Sequence, residues 1–275
     1  MPNLRIVSDN ALERAATLTA SSTAGTLVAV NLVNWKKSSI HRATATSVAY
    51  TATWAAAEPI SCVALPFCNL SPTATIRVRA YAANGTTVLY DSGAAGVLAC
   101  PWPALRPHGF TAAQAASAYA YGGGTYARHW FAQVGAFKLV VDIVDTNNLQ
   151  GYVEVACMVV GTYWSPKYNA SAAPVTLLDS SENFETAGGD TVGEPGFIRR
   201  EISVDLSYFE ADDRTTLMNM ARNSSVYPLL LSAFPLDADS SRERDYMIYA
   251  TRSKSTAIAM RAAAAYTTSI TFREV

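Results

Sequence analysis

Charge is scarce in this chain and unevenly placed. Only 16% of its 275 residues are Asp, Glu, Lys or Arg, against about a quarter in ordinary globular domains. The shortfall lies at the front: residues 1–166 hold 10 Lys/Arg and 7 Asp/Glu, while the shorter stretch 167–275 holds 11 and 15. A surface so poor in charge is typical of one covered by neighbours. With a net charge of −1 there is no excess of positive side chains to neutralise phosphates, which argues against nucleic acid and against an anionic membrane surface as partners. Long apolar runs are missing too. Residues 15–35 are free of charge but broken by Thr, Ser and Asn, and no window approaches the roughly 18 nearly unbroken apolar residues of a spanning helix. The opening Met-Pro-Asn-Leu-Arg lacks the basic-then-apolar pattern of a secretory signal, so a soluble protein made in the cytoplasm is expected.

Cysteine and histidine are sparse. Cys62 and Cys157 lie in apolar runs, Cys68 and Cys100 beside turn residues, and buried thiols are expected in place of disulfides. Cys62 and Cys68 are too far apart for a CxxC pair, and His41, His108 and His129 are scattered without ligand spacing. Gly122-Gly123-Gly124 lacks the following Lys-Ser/Thr of a phosphate loop. No nucleophile with its base and no paired carboxylates stand out, so no catalytic residue, cofactor or metal is assigned.

What is present is period-two alternation. In Thr75–Tyr81, Ile76, Val78 and Ala80 share one face and Arg77 and Arg79 the other, a half-buried strand. Asn84-Gly85 supplies the tight turn and residues 87–90 the returning strand. Near-continuous apolar runs at 60–65, 139–144 and 153–160 read as central strands, and Ala-, Tyr- and Gly-rich residues 107–126 as a loop with a short helix at 112–118. Several strands, long connections and little helix point to a two-sheet sandwich, most simply a jelly roll. Charge density rises after Trp164-Ser165-Pro166, and residues 166–196, polar and Gly-rich around one short strand at 175–178, read as a connecting arm. Beyond it, 201–206 alternates strictly; Asp212-Asp213 leads a helix carrying Leu217, Met220 and Ala221; and strands follow at 227–233, 245–251, 256–261 and 266–273. The expected chain is mainly all-β: a jelly-roll sandwich over 1–165, an arm over 166–196, and over 197–275 a small β-barrel or sandwich with one helix.

Four groups of side chains are candidate contacts. Trp102, Tyr121, Tyr126 and Trp130, with Tyr119 and Phe131, cluster about the long Gly-rich connection; such aromatics either stack on sugar rings or serve as core and interface anchors. Arg199, Arg200, Arg242 and Arg244, interleaved with Glu201 and Glu243, suit salt bridges between subunits. Asp142, Asp145, Asn147 and Asn148 are either oxygen donors to calcium or an ordinary turn. Glu182, Glu185 and Asp190 lie in the arm, where they are either solvated or facing a basic partner.

Asn3-Leu4-Arg5-Ile6-Val7-Ser8-Asp9-Asn10-Ala11, residues 17–25 and 63–70, Tyr121-Gly122-Gly123-Gly124-Thr125-Tyr126-Ala127-Arg128 and Tyr163-Trp164-Ser165-Pro166 resemble structural proteins encoded among the tail genes of long-tailed bacteriophages. Within the first half, Asn31-Leu32, Trp35 and Tyr50-Thr51-Ala52-Thr53-Trp54 resemble discoidin-type, galactose-binding-like jelly rolls, and the second half resembles the tail-tube-like barrel of tube and distal-tail subunits, although here that part comes second. The resemblance implies a non-enzymatic virion protein of the tail tip, assembled in the host cytoplasm. It would form a homo-oligomeric ring of sixfold or threefold symmetry between the tail tube and receptor-binding parts, with other tail proteins as partners. The alternative is a carbohydrate-binding module that attaches the particle to host-surface glycan. An enzyme degrading surface polymer is a third, weaker reading.

Overall fold

The computed structural model describes residues 2–102, 124–194, 196–253, 255–262 and 265–275. Its strands are β1 (Arg5–Val7), β2 (Thr17–Ala20), β3 (His41–Arg42), β4 (Ser47–Cys68), β5 (Thr75–Tyr81), β6 (Val88–Asp91), β7 (Val97–Leu98), β8 (Thr125–Val144), β9 (Glu154–Val155), β10 (Val159–Gly161), β11 (Val175–Asp179), β12 (Glu182–Glu185), β13 (Thr191–Glu194), β14 (Ile198–Phe209), β15 (Leu229–Ser232), β16 (Met247–Arg252), β17 (Ile258–Ala262) and β18 (Ala265–Glu274). Two compact units result. A sandwich unit comprises Ile6–Trp164 with Leu236–Asp245, and a C-terminal unit comprises Met1–Arg5, Ser165–Pro235 and Tyr246–Val275. The fold is mainly β, as the alternation implies, and the first unit is a jelly-roll type of sandwich.

Two long strands organise the sandwich. β4 and β8 pair antiparallel from Ser47↔Val144 to Cys68↔Thr125, with register shifts at Thr53/Glu58, Ile60/Cys62 and Pro66/Cys68. Such irregularities bend a strand, so the two halves of β4 and β8 serve different layers. The first half of β4 carries β2, and its β8 partner carries β5, followed by β6 and β7. The second half of β4 carries β10. The layers meet where the Tyr90 ring of β6 stacks on Phe131 of β8, centroids 4.4 Å apart. Ile60, Leu65, Ile76, Val78, Leu139, Val141 and Ile143 are fully buried between them.

The hairpin read from Asn84-Gly85 is present. Gly85 has a φ of 70°, a left-handed angle that glycine adopts without a Cβ penalty, and the Asn84 Oδ1 accepts from the amides of Thr86 and Thr87. On the wet face Arg77 pairs with Asp91 and Arg79 with Asp142, each at 2.6 Å. The apolar run 153–160 is not one strand. It breaks between β9 and β10, because the amides of Ala156, Cys157 and Met158 bond to the carbonyls of Phe67, Pro66 and Leu32, partners that no single ladder supplies. Burial of the run was legible, but its backbone path was not. The expected loop and helix over 107–126 lie, up to residue 123, outside the described residues.

In the C-terminal unit the antiparallel order is β15-β16-β18-β14-β11, with β17 also on β18. Ile202, Val204 and Leu206 of β14 are buried, as their spacing requires. The helix Ala211–Asn223 buries Leu217 and Met220 and carries Asp212 and Asp213 in its first turn, where the backbone dipole favours negative charge. A second, six-residue helix, Ser240–Asp245, belongs to the segment packed with the sandwich. The segment 166–196 contains β11, a member of the sheet, and β12 and β13, which pair only with each other among the described residues. No helix among the described residues is long and apolar enough to cross a membrane.

Candidate functional site

The aromatic candidates among the described residues are interior side chains. Trp102, Tyr126 and Trp130 are 3%, 3% and 7% exposed. The Trp102 indole donates to Thr125 Oγ1 at 2.8 Å and lies beneath the Arg128 guanidinium. Tyr126 meets Phe67 edge-on, and Trp130 meets Tyr163 at 90°. A ring engaged on its faces and edges by protein has none to offer a sugar. Tyr121 and Tyr119 lie outside the described residues.

Three of the four arginine candidates are held within the chain. Arg200 pairs with Glu274, Arg242 with Asp237 at 2.7 Å and Arg244 with Asp245 at 2.8 Å. Arg199 is exposed, its guanidinium over the Phe197 ring. A different arginine makes the most buried pair among the described residues: Arg128 Nε and Nη2 donate to Glu243 Oε1 and Oε2 at 2.9 and 2.6 Å. This fork ties the short helix, far along the chain, to β8 of the sandwich. In the sequence Glu243 is one charge among several, because nothing local marks a pair separated by 115 residues.

The remaining polar candidates are satisfied by protein groups. His41 Nδ1 bonds Tyr50 Oη at 2.8 Å, its Nε2 reaches the Ser22 carbonyl, and burial lowers its pKa. His129 Nε2 bonds Tyr90 Oη at 2.7 Å, and burial, aided by Arg128, brings its pKa down to about 4. Both are neutral rings at pH 7. His108 lies outside the described residues. Asp142 is taken by Arg79. Asp145 accepts from the Ser71 amide, the Ser71 hydroxyl and the Asn148 amide at 2.8, 2.5 and 3.1 Å, so it closes a turn. All four cysteines are buried thiols. Burial pushes the Cys157 thiol up to about 12, and raises Cys100 well above its usual value with help from neighbouring Cys68.

A group of exposed apolar side chains stands elsewhere, in the segment 166–196 and at the two residues that follow it. Leu177, Phe184, Val192, Phe197 and Ile198 are 50–69% exposed. Every residue of β12 and β13 is exposed, and Phe184 pairs directly with Val192 across them. The same register sets Glu182 opposite Glu194, and like charges facing each other across a ladder are destabilising. Between Glu182 and Glu194 there are four acidic residues and no Lys or Arg. Phe184 and Val192 escaped sequence reading because each is a single apolar residue in polar surroundings, too sparse for a strand pattern.

No family model matches the chain, and no curated protein matches it. Solved structures similar to its fold include a chitosan-binding module from the chitosanase/glucanase of Paenibacillus sp. IK-5, at 14% identity and a TM-score of 0.38, covering 56% of this chain and 99% of that one. A fucose-binding module from Streptococcus pneumoniae has 13% identity and a TM-score of 0.36, covering 55% and 95%. A carbohydrate-binding module of Clostridium perfringens, CpGH89CBM32-5, in complex with GalNAc-β-1,3-galactose, has 10% identity and a TM-score of 0.36, covering 53% and 94%. Likeness at this level transfers no ligand.

Proposed function

We propose that this chain is a non-catalytic assembly protein that joins its neighbours through the β12–β13 hairpin. The observation that carries the reading is the hairpin itself. A lone two-stranded ribbon is marginal in water, and this one also sets Glu182 against Glu194 while exposing Phe184 and Val192. Covering the apolar pair with a basic, apolar surface would relieve both costs at once. In its finer form the reading is a tail-tip subunit of a long-tailed bacteriophage. It would be carried in the virion as a homo-oligomeric ring of sixfold or threefold symmetry, between the tube and receptor-binding parts. The ring geometry would be the function.

Light scattering on the full chain across protein concentration and salt tests this. Oligomers that dissociate when Phe184 and Val192 both become Asp, with the melting temperature unchanged, support it. A monomer at every concentration that also fails to bind other tail components would sink it. A second reading, reversible attachment to host-surface carbohydrate, is favoured by a hydroxyl-lined groove in the C-terminal unit.

A further inference from the structure

On the outer face of the C-terminal sheet a shallow groove of about 400 Å³ lies across β14, β18 and β17. Its origin is period-two alternation in three adjacent strands. The registers Leu206↔Thr268 and Ile258↔Thr268 align one row, in which Leu206 and Thr268 are buried. The neighbouring positions Asp205, Ser207, Thr267, Ser269, Ala257 and Ala259 therefore face outward and line the groove, together with Leu206 and Thr268 of the buried row. Ser171 closes one side: its amide and hydroxyl donate to the Asp205 carbonyl at 2.8 and 3.0 Å, and the Ser207 hydroxyl donates to its Oγ at 2.6 Å. Ala259 on β17 and Ala257 just before it keep that side low, so the depression is shaped by short side chains with little rotamer entropy to lose on binding.

The lining selects a ligand by its chemistry. Among the described residues no Lys or Arg lines the groove, and no protein donor engages the Asp205 carboxylate. An anion would be repelled, and a purely apolar ligand would strand the polar groups without partners. Hydroxyls donate and accept, and an ionised carboxylate accepts at both oxygens. That set complements adjacent hydroxyls of an uncharged sugar, and the volume falls in the range of small-ligand sites. The next residue along β14, Tyr208, is 42% exposed, where the register shifts between Leu206 and Phe209.

We infer that this groove binds a neutral carbohydrate of one or two rings, with Asp205 accepting hydrogen bonds from a pair of sugar hydroxyls. The inference rests on the carbohydrate reading and is independent of assembly. The test uses the full chain with glucose, galactose and N-acetylglucosamine at millimolar concentration, read by saturation-transfer NMR and calorimetry. Binding of at least one of these sugars is expected, weakened about tenfold or more by Asp205→Ala. Ala259→Arg, which places a long side chain in the groove from an exposed position, should abolish binding while leaving the melting temperature in place. Binding that survives both changes would overturn the groove and leave the carbohydrate reading standing. No binding of any of the three sugars would overturn both.

Discussion

Replacing Glu243 by Gln should unfold the sandwich unit at markedly lower temperature, although residue 243 lies more than eighty residues beyond β10, the last strand of that sandwich. Its carboxylate is 1% exposed, and the Arg128 side chain it holds is 10% exposed. Both fork bonds are short, at 2.9 and 2.6 Å, and the guanidinium is flanked by the Trp102 ring at 5.5 Å, which hinders its escape to water. Gln keeps the shape but removes the negative charge, leaving a buried cation uncompensated. Breaking one side of such a pair costs about 3–5 kcal/mol. For a unit of this size that is a fall in melting temperature of roughly 6–20 °C. Circular dichroism during heating and in urea measures it, with the two units treated as separate transitions. Arg128→Met combined with Glu243→Leu removes both charges and should recover most of the loss, since a buried ion pair adds little over a well-packed apolar one. A cost for Glu243→Gln below about 1 kcal/mol, the range of an exposed pair, would refute the reasoning. By the same logic a fragment of residues 1–165 alone, which lacks Glu243, should be less stable than the sandwich within the whole chain.

Acidification should destabilise the sandwich between pH 6.5 and about 4. The folded pKa values of His129 and His41 lie below the ordinary 6.5, so the unfolded chain binds more protons in that window and stability is lost as pH falls through it. Urea midpoints measured across that interval that stay flat would contradict this. No cysteine should react with a disulfide reagent at about pH 8 in the native protein, and all four should react in denaturant, because only an exposed thiolate is a nucleophile. Asp145→Ala should cost about 1–3 kcal/mol by orphaning donors from Ser71 and Asn148. Added calcium should leave the melting temperature of the parent chain unchanged, and a rise would restore the calcium reading of this turn.

Local pattern was legible wherever a strand has one wet face. Ile76, Val78 and Ala80, the Asn84-Gly85 turn, and Ile202, Val204 and Leu206 stand where alternation places them, because side-chain direction in a strand is set by the backbone alone. Candidate sites fared differently. Trp102, Tyr126 and Trp130 have the composition of a sugar platform, yet the first half of β8, paired with the second half of β4, turns Tyr126 and Trp130 inward, and Trp102 is buried against Thr125 and Arg128 of the same strand. An aromatic ring suits a core and a binding face equally, so its identity does not choose between them.

The sequence by itself determined the class of structure, the edges of strands such as Thr75–Tyr81 that have one wet face, the helix at Ala211–Asn223 and the shift in charge near Trp164. These depend on neighbours within a few residues. Only the tertiary structure decided that Leu236–Asp245 joins the sandwich, that Arg128 finds Glu243, and that Ser171, Asp205 and Ser269 share one groove. It also decided that Phe184 meets Val192 in the open. Such pairings join residues distant along the chain, and they are chosen by register and by the need to satisfy buried charge, which no local window contains.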